Sequence, residues 1–431
     1  MSETFPPPVL SADAINAALV RRVDECELSP GMVLGLVDGG EQRFFFRGRA
    51  SQQGEPVTER TVFEIGSVTK LFTALLLADM AQRSEVALDT PVSELLPTGV
   101  RVPERNKVPI TLAHLATHTS GLPRLPDDIV VGSPDPYADY TPDRLYGFLA
   151  RHELSRTPGE SFEYSNVGAG LLGHALGLRA GCGYEQLLRK RILDPLAMAD
   201  TMIRWLPDTI AHRAVGHDDS SDPVSHWTFD ALAGAGAILS TAADLARFVE
   251  ALVSGSGPMA PAMATLLATR TEGGLGLGRP DADGVLALQH EGQTGGFRSY
   301  LCCTPRWRRG TIVLANSANG AVADLGIHCC DLRWGLRWFR KVNAIDPAQL
   351  DRLIGSYRMR PDLLLHVTRQ DARLMVQPTG QGSSQVFPST EWDFFYKAVG
   401  AQLTFEPGPD GHAIRLILHQ NSLDQIAERV A

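Results

Sequence analysis

The chain has 431 residues with 44% hydrophobic and 21% charged side chains, enough to bury one large core and one small one, and this excludes general disorder. A formal net charge of -9 leaves no basic surface for a phosphate backbone and excludes nucleic acid as the expected partner. No apolar run reaches the roughly 18 residues of a membrane span, and the first thirty residues carry Glu3, Asp13, Arg21, Arg22, Asp24 and Glu25, so no signal peptide is read and a cytoplasmic location is expected.

Met32 to Val37 and Arg43 to Phe46, joined around Asp38-Gly39-Gly40, predict an N-terminal hairpin. Next, Val68, Leu71, Phe72, Leu75, Leu76 and Met80 recur at helical spacing, so a helix opened by Ser67 is expected to bury one stripe. Ser67 stands three residues before Lys70, on the same helix face, where first-turn N–H groups favour negative charge. A lysine whose pKa is lowered by burial can take the proton of such a serine and make it a nucleophile. The residues alone leave a second reading open, a capping serine followed by a surface lysine.

Further along, His114 and His118 have the spacing of a zinc helix, but Leu115 stands where that motif needs glutamate, so no metal is expected. Thr141-Pro142 opens a helix with Leu145, Phe148 and Leu149 on one face. Tyr164-Ser165-Asn166 lies between the turn at Thr157-Pro158-Gly159 and a small-residue helix from Val167, with Asn166 as the expected N-cap. A phenol and an amide two residues apart in a loop can face one cleft, the phenol relaying a proton and the amide holding a carbonyl; a packing tyrosine beside a capping asparagine is the alternative. Thr241 and Asp244 form a capping-box-like start to another helix.

The run His290-Glu291-Gly292-Gln293-Thr294-Gly295-Gly296-Phe297-Arg298 leads into an apolar strand. Its glycines let a ligand approach the backbone, so that N–H groups near Gln293 can face an oxyanion. Ser299 to Cys303 and Thr311 to Ala315 form a second hairpin, and an antiparallel sheet built from both ends of the segment, with a helical lobe between Leu71 and Leu252, gives an α+β class. The six cysteines show no C-x-x-C spacing and read as reduced thiols, and no G-x-S-x-G elbow is present.

S-x-x-K, Y-x-N and H-x-G, in that order, resemble the serine β-lactamase and penicillin-binding-protein group, in its class C branch with the D-aminopeptidases and β-lactamase-like esterases. Ile110 to Pro123 and Leu239 to Leu245 look like the same family. The resemblance implies Ser67 as the acylated nucleophile, Lys70 and Tyr164 sharing the proton transfers, and His290 in the place many members give to lysine. It implies Asn166, Gln293, Thr294 and Gly295 as substrate-binding residues, with the N–H groups of Ser67 and Gln293 as oxyanion hole. Arg298 is either a carboxylate partner or a solvated strand arginine.

After Trp338 short strands bounded by turns predict a small β-barrel or sandwich, with domains at 1–340 and 341–431. Gly355-Ser356-Tyr357, Asp393-Phe394-Phe395 and Leu418-His419-Gln420 resemble the lipocalin-like domain appended to some β-lactamase-like peptidases and cyclases. The expected activity is cleavage of an amide, ester or thioester of a small peptide-like substrate through an acyl-enzyme, without a cofactor. The alternatives are a stand-alone thioesterase that cyclises a carrier-bound nonribosomal peptide and a non-catalytic binding protein on the same scaffold.

Overall fold

The computed structural model describes residues 8–130, 132–205, 212–268, 278–280, 286–397, 399–420 and 423–430. The two hairpins join into one antiparallel sheet: β1 (Gly31–Asp38), β2 (Glu41–Gly48), β5 (Gly278–Pro280), β6 (Leu286–Gln293), β7 (Arg298–Thr304) and β8 (Arg309–Ala315), in the order β2-β1-β8-β7-β6-β5. Alternation along each strand separates two apolar layers. Val33, Val37, Leu301, Cys303, Ile312 and Leu314 face the main core. Met32, Leu34, Leu36, Tyr300, Cys302 and Val313 face the opposite layer. Helix α8 (Ala242–Ser254) covers the first side, while α1 (Ala12–Val20) and α10 (Ala323–Cys330) cover the second. A short pair, β3 (Phe63–Glu64) and β4 (Leu239–Ser240), forms a separate two-stranded sheet.

Between the halves of the sheet lie α2 (Thr69–Gln82), α3 (Leu112–Ala116), α4 (Pro142–Arg151), α5 (Asn166–Arg179), α6 (Tyr184–Leu188) and α7 (Ala233–Gly236), with α9 (Ala260–Ala268) following α8. The single apolar stripe expected for α2 is an underestimate. All twelve residues from Thr69 to Met80 are buried, because the helix is wrapped on every side. Its polar members are satisfied: Thr73 Oγ1 donates to Gly234 O (2.8 Å), and Asp79 is paired with Arg83 (3.0 Å) and Arg191 (3.2 Å). Gly173 of α5 and Gly234 of α7 meet so closely that a Cβ on Gly173 would lie 2.9 Å from the Gly234 Cα. That approach brings α7 down onto α2.

The C-terminal part is a closed eight-stranded barrel of β9 (Gly355–Arg360), β10 (Leu363–Gln370), β11 (Arg373–Pro378), β12 (Ser384–Pro388), β13 (Asp393–Phe395), β14 (Ala401–Pro407), β15 (Ala413–Gln420) and β16 (Leu423–Val430). It is preceded by α11 (Pro347–Leu350). The expected α+β architecture with a small appended β-barrel is therefore found. No helix among the described residues is long and apolar enough to cross a membrane. Cys26, Cys302, Cys303, Cys329 and Cys330 are free and buried; Cys182 is free and half-buried.

Candidate active site

Ser67 sits in a one-turn 3-10 helix, Gly66–Val68, at the N-terminus of α2. The turn is held from outside by the sheet. Ser299 Oγ of β7 donates to Ile65 O (2.7 Å). Gly66 adopts φ +47°, and a Cβ there would lie 2.7 Å from Gln293 O; one on Gly292 would lie 2.0 Å from Ile65 O. Two glycines thus allow backbone to touch backbone where β6 meets the turn. Gly292→Ala is expected to lower the thermal midpoint, since overpacking costs about 1–3 kcal/mol; an unchanged midpoint in calorimetry would contradict this contact.

The His290 to Gln293 run belongs to strand β6 rather than to a glycine loop, and the turn proper is confined to residues 294–297. Among the described residues, β5 pairs with β6 at Leu286, Ala287 and Leu288. The stretch from His290 to Gln293 pairs with β7 and fronts the Ser67 turn.

Lys70 Nζ lies 3.0 Å from Ser67 Oγ and donates to Ala235 O of α7 at 2.7 Å. The side chain is buried, and no carboxylate pairs with it among the described residues. Burial, helped by the nearby Arg124 charge, holds its pKa well below the ordinary lysine value. Tyr164 stacks over this pair, its ring centroid 4.8 Å from Lys70 Nζ and 5.3 Å from the Arg124 guanidinium. Burial pushes the phenol up to about 12, against a hydrogen-bonding interaction with Ser67 that pulls the other way. Near neutrality the phenol keeps its proton.

His290 is buried with its ring 6.4 Å from that of Tyr164 and Nδ1 2.8 Å from Glu291 O, an arrangement that leaves Nε2 as acceptor. Burial and the Lys70 charge lower it to about 3. His118, which accepts from Ser165 N–H at 3.2 Å and packs 4.6 Å from the Tyr164 ring, is lowered to about 3 by burial as well. Both imidazoles are neutral when folded, whereas the unfolded chain protonates them near 6.5. Between about pH 3 and 6.5 the unfolded state binds more protons, so stability rises with pH by up to about 1.4 kcal/mol per unit for each histidine. Proton uptake on unfolding at pH 5 should fall by about two when both are replaced by asparagine; an unchanged uptake would contradict their burial as neutral rings.

Asn166 is the first residue of α5, not its cap: Ser165 Oγ accepts from Gly168 N–H and takes that role. The Asn166 amide is thereby released toward the cleft, where Nδ2 donates weakly to Tyr137 OH (3.4 Å) and Oδ1 has no hydrogen-bond partner. The Thr294 hydroxyl is also buried and unpartnered. Gln293 and Gly295 line the same cleft, with Gly295 against Trp227. Arg298 lines it too, but its guanidinium is held by Glu291 (3.1 Å) and by Ala318 O (3.0 Å). His114, the other histidine of the zinc-like spacing, accepts from Thr111 N–H in a capping box.

The structure adds residues that sequence reasoning missed. Arg124, one residue beyond the family-like stretch ending at Pro123, is exposed at the cleft mouth, and its carbonyl accepts from Asn166 N–H (3.0 Å). Tyr137, Trp227 and Phe229 form an aromatic wall, with Tyr137 and Phe229 stacked at 4.6 Å. Glu64, three residues before Ser67, fixes that wall by accepting from Trp227 N–H (3.2 Å). The cleft measures about 630 Å³ and adjoins an apolar pocket of about 590 Å³ lined by Leu125, Ile129, Pro136, Tyr137, Val224 and Trp227.

Residues 17–326 match the family described as Beta-lactamase. The chain belongs to that family. Residues 340–429 match a domain of unknown function (DUF3471). Over 307 residues the chain is 31% identical to the D-alanyl-D-alanine-carboxypeptidase/endopeptidase AmpH of Escherichia coli (strain K12), covering 66% of this chain and 78% of that protein. Penicillin-binding protein 4* of Bacillus subtilis (strain 168) is 25% identical over 87% of this chain and 89% of its own. The octameric penicillin-binding protein homologue from Pyrococcus abyssi superposes with a TM-score of 0.66 at 20% identity, over 97% of this chain and 100% of its own, which is a likeness of fold through the barrel. This cleft holds a neutral His290 and an Arg124 with no carboxylate partner among the described residues.

Proposed function

We propose that the chain is a serine hydrolase that forms an acyl-enzyme on Ser67 and cleaves an amide, ester or thioester of a small peptide-like substrate. The observation that carries this reading is the Lys70 amine, buried, lowered in pKa and 3.0 Å from the Ser67 hydroxyl. With one N–H committed to Ala235 O, the neutral amine turns its lone pair to Ser67. Ser67 Oγ attacks the carbonyl carbon as its proton passes to Lys70, and the oxyanion is met by the N–H groups of Ser67 and Gln293. Tyr164, which keeps its phenolic proton, relays a proton from Lys70 to the leaving nitrogen, oxygen or sulfur as the C–X bond breaks. Water then attacks the ester carbonyl, gives its proton back through the same pair and releases the acid and Ser67.

The unpartnered Asn166 Oδ1 and Thr294 Oγ1 supply polar contacts for a substrate amide. Arg124 supplies the positive charge for a substrate carboxylate, in preference to Arg298, which Glu291 already neutralises. The pocket beside Trp227 receives an apolar substrate side chain. The relatives' carboxypeptidase and penicillin-binding names support D-alanyl peptides as the first substrates to test.

Turnover of D-alanyl peptide amides, esters and thioesters by wild type and Ser67→Ala tests the reading. Ser67-dependent release of linear acid is expected. Cyclic product from a peptidyl thioester carrying a free amine would replace water by amine as acceptor and favour the cyclase; binding without turnover of any member would favour the non-catalytic scaffold.

A further inference from the structure

The barrel is filled at one end only. Leu350 of α11 and Leu353 are buried with Tyr357, Phe394 and Phe405 where the chain enters β9. Toward the end where β9 runs into β10, β11 into β12 and β13 into β14, the inward positions of the same strands stop filling the interior. A cavity of about 670 Å³ remains, the size of a small-ligand site, and an eight-stranded barrel has room to hold one such molecule.

Its walls are apolar, with Leu365, Val376 and Leu403 buried at depth and Leu363 and Leu418 half-buried above them. Its rim is made of amides, Gln381, Gln385, Gln420 and Gln425. Gln420 and Gln425 stand on the inward face, opposite Ala401 and Leu418, where their amides can meet a polar end of a ligand. Burial alone pushes the Tyr396 phenol, also on the lining, up to about 12, so its hydroxyl is an uncharged donor there.

The charges argue against an anionic headgroup. Lys397 lines the cavity, but its side chain is 1% exposed and its ammonium donates to Glu27 O (2.7 Å), above the Phe387 ring (3.6 Å). Asp218 and Asp219 also line the cavity, on a segment that Arg373 of β11 holds through Ser220 O (3.2 Å) and Asp222 (2.7 Å). The same two aspartates line the Ser67 cleft, so the two cavities share a wall.

We infer that the barrel is a second binding site, for an elongated molecule with an apolar chain and an uncharged hydrogen-bonding end, such as a medium-chain amide or alcohol. The site stands on the barrel's own geometry and does not depend on the reading of Ser67. Titration of the full chain with the uncharged fluorophore N-phenyl-1-naphthylamine tests it. Saturable binding at one site is expected, equal in Ser67→Ala, and at least about tenfold weaker in Leu418→Trp and Gln420→Trp, which fill the open half. Circular dichroism and the thermal midpoint of both variants should stay near wild type, and if Leu418→Trp unfolds, Gln420→Trp, nearer the strand end, decides alone. Dodecanamide should displace the dye at least about tenfold better than dodecanoate at pH 8. Absence of saturable binding, binding unaffected by the two tryptophans, loss of binding in Ser67→Ala, or equal displacement by dodecanoate would each overturn the proposal.

Discussion

Lys70→Ala is expected to slow acylation of Ser67 by about 10² to 10⁴-fold, the span for removing a positioned base. The size follows from the surroundings of the amine. No carboxylate within the described residues stabilises its charge, and both burial and Arg124 favour the neutral form. Because the neutral form is the base, the wild-type acylation rate should rise with pH through a lysine pKa well below 10.5, and the variant should lose that rise. Stability should rise with pH as well. A lysine whose folded pKa is depressed binds fewer protons folded than unfolded, so its burial destabilises most below the folded pKa and is relieved as pH rises toward the unfolded value. An apolar replacement of similar length, Lys70→Met, should therefore raise the thermal midpoint at pH 7 while lowering the rate. An acylation change below about threefold would contradict the role given to the amine.

Tyr164→Phe is the second large effect, and its size should depend on the leaving group. The ring would stay packed between Lys70, Arg124 and His118, so the variant loses only the hydroxyl. An amine leaves as a neutral molecule only if it receives a proton, whereas a thiolate leaves readily without one. Amide cleavage should fall by about 10²-fold or more and thioester cleavage by less than about tenfold. Equal losses on both, measured as kcat/KM on matched substrates, would assign Tyr164 to binding or to packing.

The parts of the fold legible in the sequence were those where side-chain alternation is imposed by two apolar layers. Both hairpins of the sheet fall where Met32 to Val37 and Thr311 to Ala315 place them, and Thr141-Pro142 opens α4 as its residues require. β6 was not legible as a strand, since Gln289, His290, Glu291 and Gln293 carry no apolar alternation; its form is set by pairing with β7 and by contact with the Ser67 turn. In the barrel, β12 and β13 are too short for alternation to mark them, and barrel closure holds them.

At the cleft, the local motifs located Ser67, Lys70, Tyr164 and His290 in the chain, and the structure brings those four together. Arg124, Tyr137 and Trp227 come from loops without period, and only the fold brings them to the same wall. The cap moved from Asn166 to Ser165 because a hydroxyl on the preceding residue reaches Gly168 N–H, which local pattern alone does not decide. The ion pair that binds Arg298 joins adjacent strands, and the register of β6 against β7 was needed to see it.

The central claim is that Ser67 carries the acyl group, and the most direct measurement is peptide mapping by mass spectrometry after brief exposure to a slowly released acylating probe, a penicillin or a fluorophosphonate. The account predicts one adduct per chain, on the peptide containing Ser67, absent from Ser67→Ala and formed far more slowly in Lys70→Ala. An adduct on another residue, or one that persists in Ser67→Ala, would contradict it.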